Sequence, residues 1–374
     1  MTMPDVPPPD DAAVRRYLVA RATLVAASAA PAEDMAFRVA VEVGLARRPI
    51  RGPGRALRLA AIVALLVALL AGAVYLVGQL RETYAPAQPE MTVELHGSPW
   101  GIATLGGSIW TAGYSEPILF EIDPRSGAIL AEIPTGKRAC GEVDEGFGYV
   151  WFTTCPPNAF LGRVDPETHR VDRLNGYGSD RLGFGDGLVW LVHDGSLEGL
   201  DPRSLATLVA YPVPRSGPLT FAFDDVWIAD ADGHVLARVD LVSGQVLAEV
   251  VWPAPGDGPN PVHLTEADGA LWVVDEAALA VFRVDPATNA ATRVDIDLEV
   301  IDGTGFGDHP IGFGGGGLWV RESESSIARI HTATLSVAER VTTEALGGGS
   351  FVVTDDAVWF ANLKGESIVG LQRP

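Results

Sequence analysis

Seven tryptophans recur at intervals of 37 to 47 residues, and each follows a turn rich in glycine or aspartate. A unit of this length is one supersecondary element that cannot bury its own core, so successive copies must stack on one another. No other feature constrains the fold as strongly. The seven tryptophans are Trp110, Trp151, Trp190, Trp227, Trp272, Trp319 and Trp359.

Each unit carries two turn signals. Glycine or aspartate before the tryptophan tolerates the positive φ of a two-residue hairpin. A second turn follows the tryptophan, as in "IDPRSG" and "VDPETH", where the aspartate accepts a backbone N–H and the proline presets φ. Four short strands joined by three turns, repeated seven times, predict an all-β, seven-bladed β-propeller of four-stranded blades.

The last unit ends after three strands, and its fourth strand is expected at the beginning of the repeat region. "MTVELHG", residues 91–97, resembles outer strands such as "LAEIPTG" at 130–136. Pairing of the two ends closes the ring and removes open sheet edges. We therefore expect the propeller to cover residues 91–374, with the tryptophans packed between neighbouring blades.

Residues 59–80, "LAAIVALLVALLAGAVYLVGQL", contain no charge. As a helix they span ~33 Å, which matches a bilayer core. A cleaved signal peptide is the alternative, but its apolar run is shorter and lies nearer the N-terminus. The boundaries that follow are a cytoplasmic helical region at 1–55, a transmembrane helix at 56–80 and a linker at 81–90.

Positive charge is concentrated on one side of this segment. Five arginines precede it and only Arg81 follows closely, so the N-terminus is expected in the cytoplasm and the propeller outside. The five are Arg47, Arg48, Arg51, Arg55 and Arg58. The sequence thus predicts a single-pass protein of the cell membrane.

The N-terminal region has apolar residues at helical spacing on both sides of Pro31, which predicts two short helices. Cytoplasmic helices, one span and an outer domain form the layout of membrane-bound anti-sigma regulators. This region contains no His or Cys, so the zinc-containing version of that module is absent. The layout alone suggests a sensory or regulatory role by analogy.

Charge excludes nucleic acid as a partner. The net charge is −21, and residues 1–58 hold nine arginines against six acidic residues, so the rest of the chain carries −24. Nucleic-acid binding depends on Lys and Arg displacing counterions from phosphates. Residues 59–374, with their excess of acidic side chains, therefore repel the phosphates of nucleic acids.

The two cysteines, Cys140 and Cys155, flank "GEVDEGFGYVWFTT". A hairpin turning at Phe147 and Gly148 would bring both ends onto neighbouring strands, where a disulfide can form. Such a bond agrees with a location outside the cytoplasm. Two unpaired buried thiols are the alternative.

"WFTTCPPNAFLGRVDPETH" and "DGALWVVDEAALAVFRVDPATN" resemble the repeats of the streptogramin lyase group (virginiamycin B lyase-like) and of YVTN-type propellers. The resemblance covers residues 91–374. It implies a metal-assisted elimination with a histidine base and glutamate ligands.

The pattern that the resemblance implies is Glu-x-His, then a tryptophan, then Glu three residues later. Glu322 stands three residues after Trp319, but Phe306 and Asp308 occupy the earlier two places. No blade holds the full set, which favours binding without catalysis.

Residues three positions after each tryptophan are expected on one rim of the channel, together with histidines from the entering loops. The candidate ligand-binding residues are His193, Asp230, His263, Asp275, His309 and Glu322. Imidazole and carboxylate groups suit a divalent cation or a small polar ligand. An ordinary wet and polar rim is the alternative reading.

The leading hypothesis is a membrane-anchored extracytoplasmic propeller that binds a protein or a small polar ligand. A lyase-like or lactonase-like metalloenzyme is the second hypothesis. A structural or adhesive propeller is the third.

Overall fold

The computed structural model describes residues 90–178, 181–213, 217–230, 234–252, 262–299, 310–342, 348–354 and 356–372. The predicted cytoplasmic helices and transmembrane helix lie outside these ranges. Within them, no helix has the length and apolarity needed to cross a membrane. Pro86–Pro374 form one compact unit.

The described strands form seven four-stranded antiparallel sheets, one for each predicted blade. Blade 1 consists of β2 (Pro99–Leu105), β3 (Ser108–Gly113), β4 (Ile118–Ile122) and β5 (Ile129–Pro134). Blade 2 consists of β6 (Ala139–Gly146), β7 (Tyr149–Thr154), β8 (Phe160–Val164) and β9 (Val171–Asn175). Blade 3 consists of β10 (Gly183–Gly185), β11 (Leu188–His193), β12 (Ser196–Leu200) and β13 (Thr207–Pro212).

The remaining blades repeat this order. Blade 4 consists of β14 (Leu219–Ala222), β15 (Asp225–Ala229), β16 (Val235–Asp240) and β17 (Val246–Val251). Blade 5 consists of β18 (Val262–Ala267), β19 (Ala270–Asp275), β20 (Ala280–Asp285) and β21 (Ala290–Arg293). Blade 6 consists of β22 (Ile311–Gly314), β23 (Gly317–Arg321), β24 (Ser326–His331) and β25 (Ser336–Thr342). Blade 7 consists of β26 (Phe351–Val353), β27 (Ala357–Asn362) and β28 (Ser367–Gln372), with β1 (Glu90–Glu94) as its outer strand.

The ring closes as the sequence predicts. β1 pairs with β28 in an antiparallel register that places Val93 opposite Ile368. Both side chains are buried in one cluster with Trp359 and residues of blade 1. The strand begins at Glu90, one residue before the expected boundary, because Glu90 already pairs with Leu371.

The inner strands of neighbouring blades contact each other, and all seven line a central channel of about 450 Å³. Two faces of the ring follow from this arrangement. We call "turn face" the side with the hairpins between inner and second strands and between third and outer strands. We call "connection face" the side with the hairpins between second and third strands and the links between blades.

The first hairpins of the turn face use paired residues at positive φ, as the sequence predicts. Asp268 and Gly269 have φ of 49° and 67°, the combination that a type I′ turn requires. Blade 4 differs, because the left-handed pair is Phe223 and Asp224, without glycine. Phe223 packs against a buried cluster of blades 4 and 5, which favours this conformation.

In the second hairpins of the turn face, aspartate side chains accept hydrogen bonds from backbone amides, as the sequence predicts. In blade 5 the backbone amides of Ala287 and Thr288 donate to Asp285 Oδ1 at 2.8 and 3.1 Å. These two hydrogen bonds hold the pKa of Asp285 below its usual value of 3.8. Asn289 completes the turn at a φ of 55°.

The tryptophans pack between blades, as predicted. Trp272, for example, is fully buried against Leu318 and Val320 of blade 6. Its indole Nε1 donates to the carbonyl of Ala267 at 3.0 Å. The tryptophans of blades 1 to 6 all donate to the carbonyl five residues earlier in the chain.

Arginine side chains form clamps between blades, which the repeat pattern does not predict. Arg163 lies opposite Trp151 on the neighbouring strand and is 4% exposed. Its guanidinium donates to the carbonyls of Pro202 and Arg203 in the next blade. Arg238 in blade 4 reaches the following blade in the same way, so one repeat position ties adjacent turns together.

The predicted disulfide between Cys140 and Cys155 is present, with the two Cα atoms 4.8 Å apart. The hairpin turns at Phe147 and Gly148, since Gly146 pairs with Tyr149. The bond lies in blade 2 at the connection face. It restrains a bulged part of β6, where the register with β7 shifts between Ala139 and Val143.

Candidate functional site

The predicted rim residues lie at the connection face wherever the structure describes them. His193 and Asp275 end the second strands of blades 3 and 5, whereas Asp230 and Glu322 lie one residue beyond the corresponding strands. His263 is the second residue of the inner strand of blade 5. His309 lies outside the described residues.

Asp275 is the most deeply placed of these groups, with no exposed surface. Its Oδ2 atom accepts hydrogen bonds from the Trp252 indole and from His234 Nδ1, both at 2.7 Å. Its Oδ1 atom accepts the amide of Ala278 at 2.7 Å. The carboxylate therefore orients an imidazole of blade 4 from blade 5, a contact that also holds the two blades together.

A second imidazole, that of His263, belongs to the inner strand of blade 5. His263 is 4% exposed, and its Nε2 atom is 3.2 Å from Glu276 Oε1. On its other side, His263 Nδ1 is 3.3 Å from Arg181 Nη1. The order Arg181–His263–Glu276 joins blade 3 to blade 5 at the channel, which both Arg181 and His263 line.

We call Arg181, His234, His263, Asp275 and Glu276 the rim network. His263 and Asp275 are predicted from the sequence, whereas the other three residues are not. Glu276 directly follows Asp275, and this adjacency of two carboxylates on one loop was a usable signal. Arg181 and His234 lie outside the repeated pattern, so no spacing rule pointed to them.

His193 contacts two residues that do not belong to the rim network. Its ring is tilted by 35° against that of Tyr177 with centroids 4.5 Å apart, and its Nε2 atom is 3.5 Å from Asp194. The Tyr177 hydroxyl donates in turn to Glu198 at 2.6 Å. These contacts fix the imidazole in blade 3.

Glu322 is held by an ion pair within blade 6. Arg340 Nη2 donates to Glu322 Oε1 at 2.7 Å, and Arg340 Nε donates to both carboxylate oxygens. Hydrogen bonding by Glu322 raises the pKa of Arg340 above its usual value. Because Arg340 belongs to the outer strand, this carboxylate is directed to its own blade.

His263 and Asp275 therefore lie on neighbouring strands of blade 5 and have different partners, and His193 and Glu322 have partners of their own. Asp230 contributes a backbone hydrogen bond, from its amide to the carbonyl of Val235 at 2.9 Å. Among the described residues, no three His, Cys, Asp or Glu side chains are grouped as a metal site requires. The cation expected from the sequence stays a prediction.

The channel is polar at both ends and apolar between them. Arg181 precedes the inner strand of blade 3 and His263 is the second residue of that of blade 5, both at the connection face, whereas Asp144 and Glu145 lie near the turn face in blade 2. Leu219 and Phe351 are among the apolar residues of the lining. The guanidinium of Arg181 at the connection end can donate hydrogen bonds to an acidic or polar group that enters from that side.

A second cavity, of about 1040 Å³, lies at the turn face between blades 7 and 1. Trp359 lines it and is 1% exposed. Among the residues that the structure describes, its Nε1 atom has no hydrogen-bond partner although it is buried, unlike Nε1 of the equivalent tryptophans. Gly370 stands opposite Trp359 on β28, where blade 2 carries its clamp arginine, so this junction is less filled.

Comparison with known proteins supports the fold alone. No protein-family model and no curated protein matches the sequence. Among solved structures, 1199 chains match, so the architecture is too widespread to indicate an activity. The crystal structure of BamB from Moraxella catarrhalis has a TM-score of 0.52 and 16% identity, covering 77% of this chain and 100% of BamB. The streptogramin lyase resemblance gains no support from these matches.

Proposed function

We propose that this protein is a membrane-anchored, extracytoplasmic propeller that binds a protein partner at its connection face. The observation that carries the binding role is the rim network. Arg181 of blade 3 and His263 of blade 5 line the channel, and Asp275 and Glu276 at the end of β19 hold His234 and His263 by direct contacts at the same face. Rigidly held polar groups of this kind orient a ligand with little further ordering.

The location is part of the same proposal. It is supported by the uncharged segment 59–80 and by the arginines that precede it. The disulfide between Cys140 and Cys155 agrees with it, because such bonds persist outside the cytoplasm. The helical region before the segment would carry the binding event inward.

Photocrosslinking in intact cells tests the binding role. A photoreactive amino acid at position 194, next to His193 on the connection face, should give a discrete adduct by mass spectrometry. The matched control is position 186, in the turn-face hairpin of the same blade. Arg181→Ala should reduce the adduct at least ~10-fold, as expected for loss of a charged anchor.

Two results would contradict the binding proposal: equal adducts at both positions, or an adduct that Arg181→Ala leaves unchanged. An adduct with the mass of a small molecule would identify a polar metabolite as the ligand instead of a protein. Protease added to intact cells tests location separately. A propeller that stays uncut while an outer-surface control protein is digested would contradict the orientation.

A further inference from the structure

The outer strand of blade 4 differs from the other outer strands of the ring. An exposed sheet edge presents unpaired backbone groups, and proteins protect such edges with proline, charge or short strands. β5 and β13 end in Pro134 and Pro212, and β21 has only four residues. β9 and β25 carry charged pairs, and β1 has glutamate at both ends.

β17 has neither a proline nor a charged pair, and it is not short. Its sequence, "VLAEVV", contains one charged residue and no proline. Val246, Leu247 and Val251 are 38%, 55% and 66% exposed, and Val242 in the preceding turn is 56% exposed. Half of the large exposed hydrophobic residues of the described chain thus lie within this one stretch, which marks an interaction surface.

We infer that β17 is a dimerisation edge, which pairs in antiparallel orientation with β17 of a second copy of this chain. A two-fold interface requires a patch that is complementary to itself. β17 meets this requirement, because aliphatic residues flank its single charge on both sides. A register centred on Ala248 places Glu249 of one copy opposite Leu247 of the other, so like charges do not face each other.

The interface is weak and reversible. A pair of six-residue strands lies at the small end of the range of protein interfaces. Each copy also carries a net charge of −24 over residues 59–374, which opposes association. Salt screens this repulsion, so dimerisation should increase between low and physiological ionic strength. This inference does not depend on the membrane location or on the partner proposed above.

β5 provides a matched control within the same molecule. Its sequence, "ILAEIP", aligns residue by residue with that of β17, but Pro134 protects its end. Leu130 and Leu247 are both 55% exposed, and Ala131 corresponds to Ala248. Equivalent substitutions in β5 and β17 therefore replace the same residue type. They differ in which strand edge carries the new side chain.

Sedimentation equilibrium of the full-length protein in detergent is the first test. At about 50 μM the wild type should show concentration-dependent dimer, consistent with a weak interface. Leu247→Glu places like charges opposite each other and should weaken dimerisation at least ~10-fold. Leu130→Glu should leave it unchanged. A monomeric wild type, or equal effects of the two variants, would overturn the inference.

Cross-linking is the second test, and it addresses the register. Both native cysteines are bonded to each other, so one introduced cysteine is the only free thiol. Ala248→Cys should form a covalent dimer under mild oxidation, because the two-fold axis places this residue opposite itself. Ala131→Cys should form at least ~5-fold less. Equal yields from the two variants would contradict pairing through β17.

Discussion

The two faces of the propeller are built in different ways. At the turn face, the same hydrogen bonds recur from blade to blade, as in the aspartate turns of Asp165 and Asp285. At the connection face, the contacts of His193, Asp275 and Glu322 have nothing in common although the three positions are equivalent in the repeat. Hydrogen bonds that recur from blade to blade build the ring. Side-chain contacts that occur in a single blade can form a specific binding site.

The largest expected effect concerns the disulfide, which occurs once and lies at the connection face. Replacing both Cys140 and Cys155 with serine should lower the free energy of unfolding by ~3 kcal/mol, because the open chain gains conformational entropy. Urea denaturation of variant and wild type measures the difference. The variant should be insensitive to reductant, unlike the wild type. A loss below about 1 kcal/mol would show that β6 and β7 hold this bulged region without the bond.

The repeated part of the molecule could be predicted from the sequence. Each turn is encoded by its own residues, so "DG" before Trp272 indicates a hairpin wherever it stands. Closure by residues 91–97 was also predictable, since the last unit lacked one strand. These inferences need only local chemistry and a count of the units.

The rim network could not be predicted in the same way. His234 and Asp275 are 41 residues apart, and their contact depends on how one blade is rotated against the next. Repeat position correctly places Glu322 beyond the end of its strand, but it does not show that Arg340 holds the carboxylate. Side-chain direction at a loop depends on neighbours that the repeat does not specify.

The clamp arginines at the turn face allow a comparison of how much equivalent positions in different blades contribute to the free energy of unfolding. Arg163→Met should lower the free energy of unfolding by about 2 kcal/mol, because it leaves carbonyls of blade 3 without their donor. The matched variant Arg283→Met should cost below about 1 kcal/mol, since Arg283 is 30% exposed and lies 4.0 Å from Asp285. Chemical denaturation compares them. Equal losses of unfolding free energy would mean that this position stabilises the fold by packing on the tryptophan and not by the hydrogen bonds of the clamp.

The tryptophans allow a finer comparison within the repeated part. Trp272→Phe and Trp359→Phe remove similar buried volume, but only Trp272 loses a hydrogen bond, to Ala267. Trp272→Phe should therefore be more destabilising by ~1 kcal/mol. Thermal and urea unfolding of both variants measure this difference. If Trp359→Phe is the more costly variant, its indole N–H has a partner in solution, and the adjacent cavity is where that partner binds.

The smallest effect concerns acid stability at the turn face. The amides of Ala287 and Thr288 lower the pKa of Asp285 below 3.8 in the folded protein, so the carboxylate form is favoured by folding. Its contribution is complete above the unfolded pKa and is lost as the pH falls through the lower folded pKa. Asp285→Asn keeps an oxygen acceptor for both amides but cannot titrate.

We therefore expect Asp285→Asn to be slightly less stable than the wild type at pH 7, because the neutral amide lacks the charge of the carboxylate, and this difference should shrink below about pH 4 as the wild-type carboxylate is protonated. Urea midpoints measured from pH 7 to pH 2.5 test this. Asp165→Asn, in the equivalent turn of blade 2, should behave in the same way, because amides of Glu167 and Thr168 bind it. Combining the two substitutions should add their effects, since the turns belong to separate blades, 2 and 5. If the urea midpoints of the wild type and the double variant fall in parallel below about pH 4, these carboxylates titrate alike in the folded and unfolded chains.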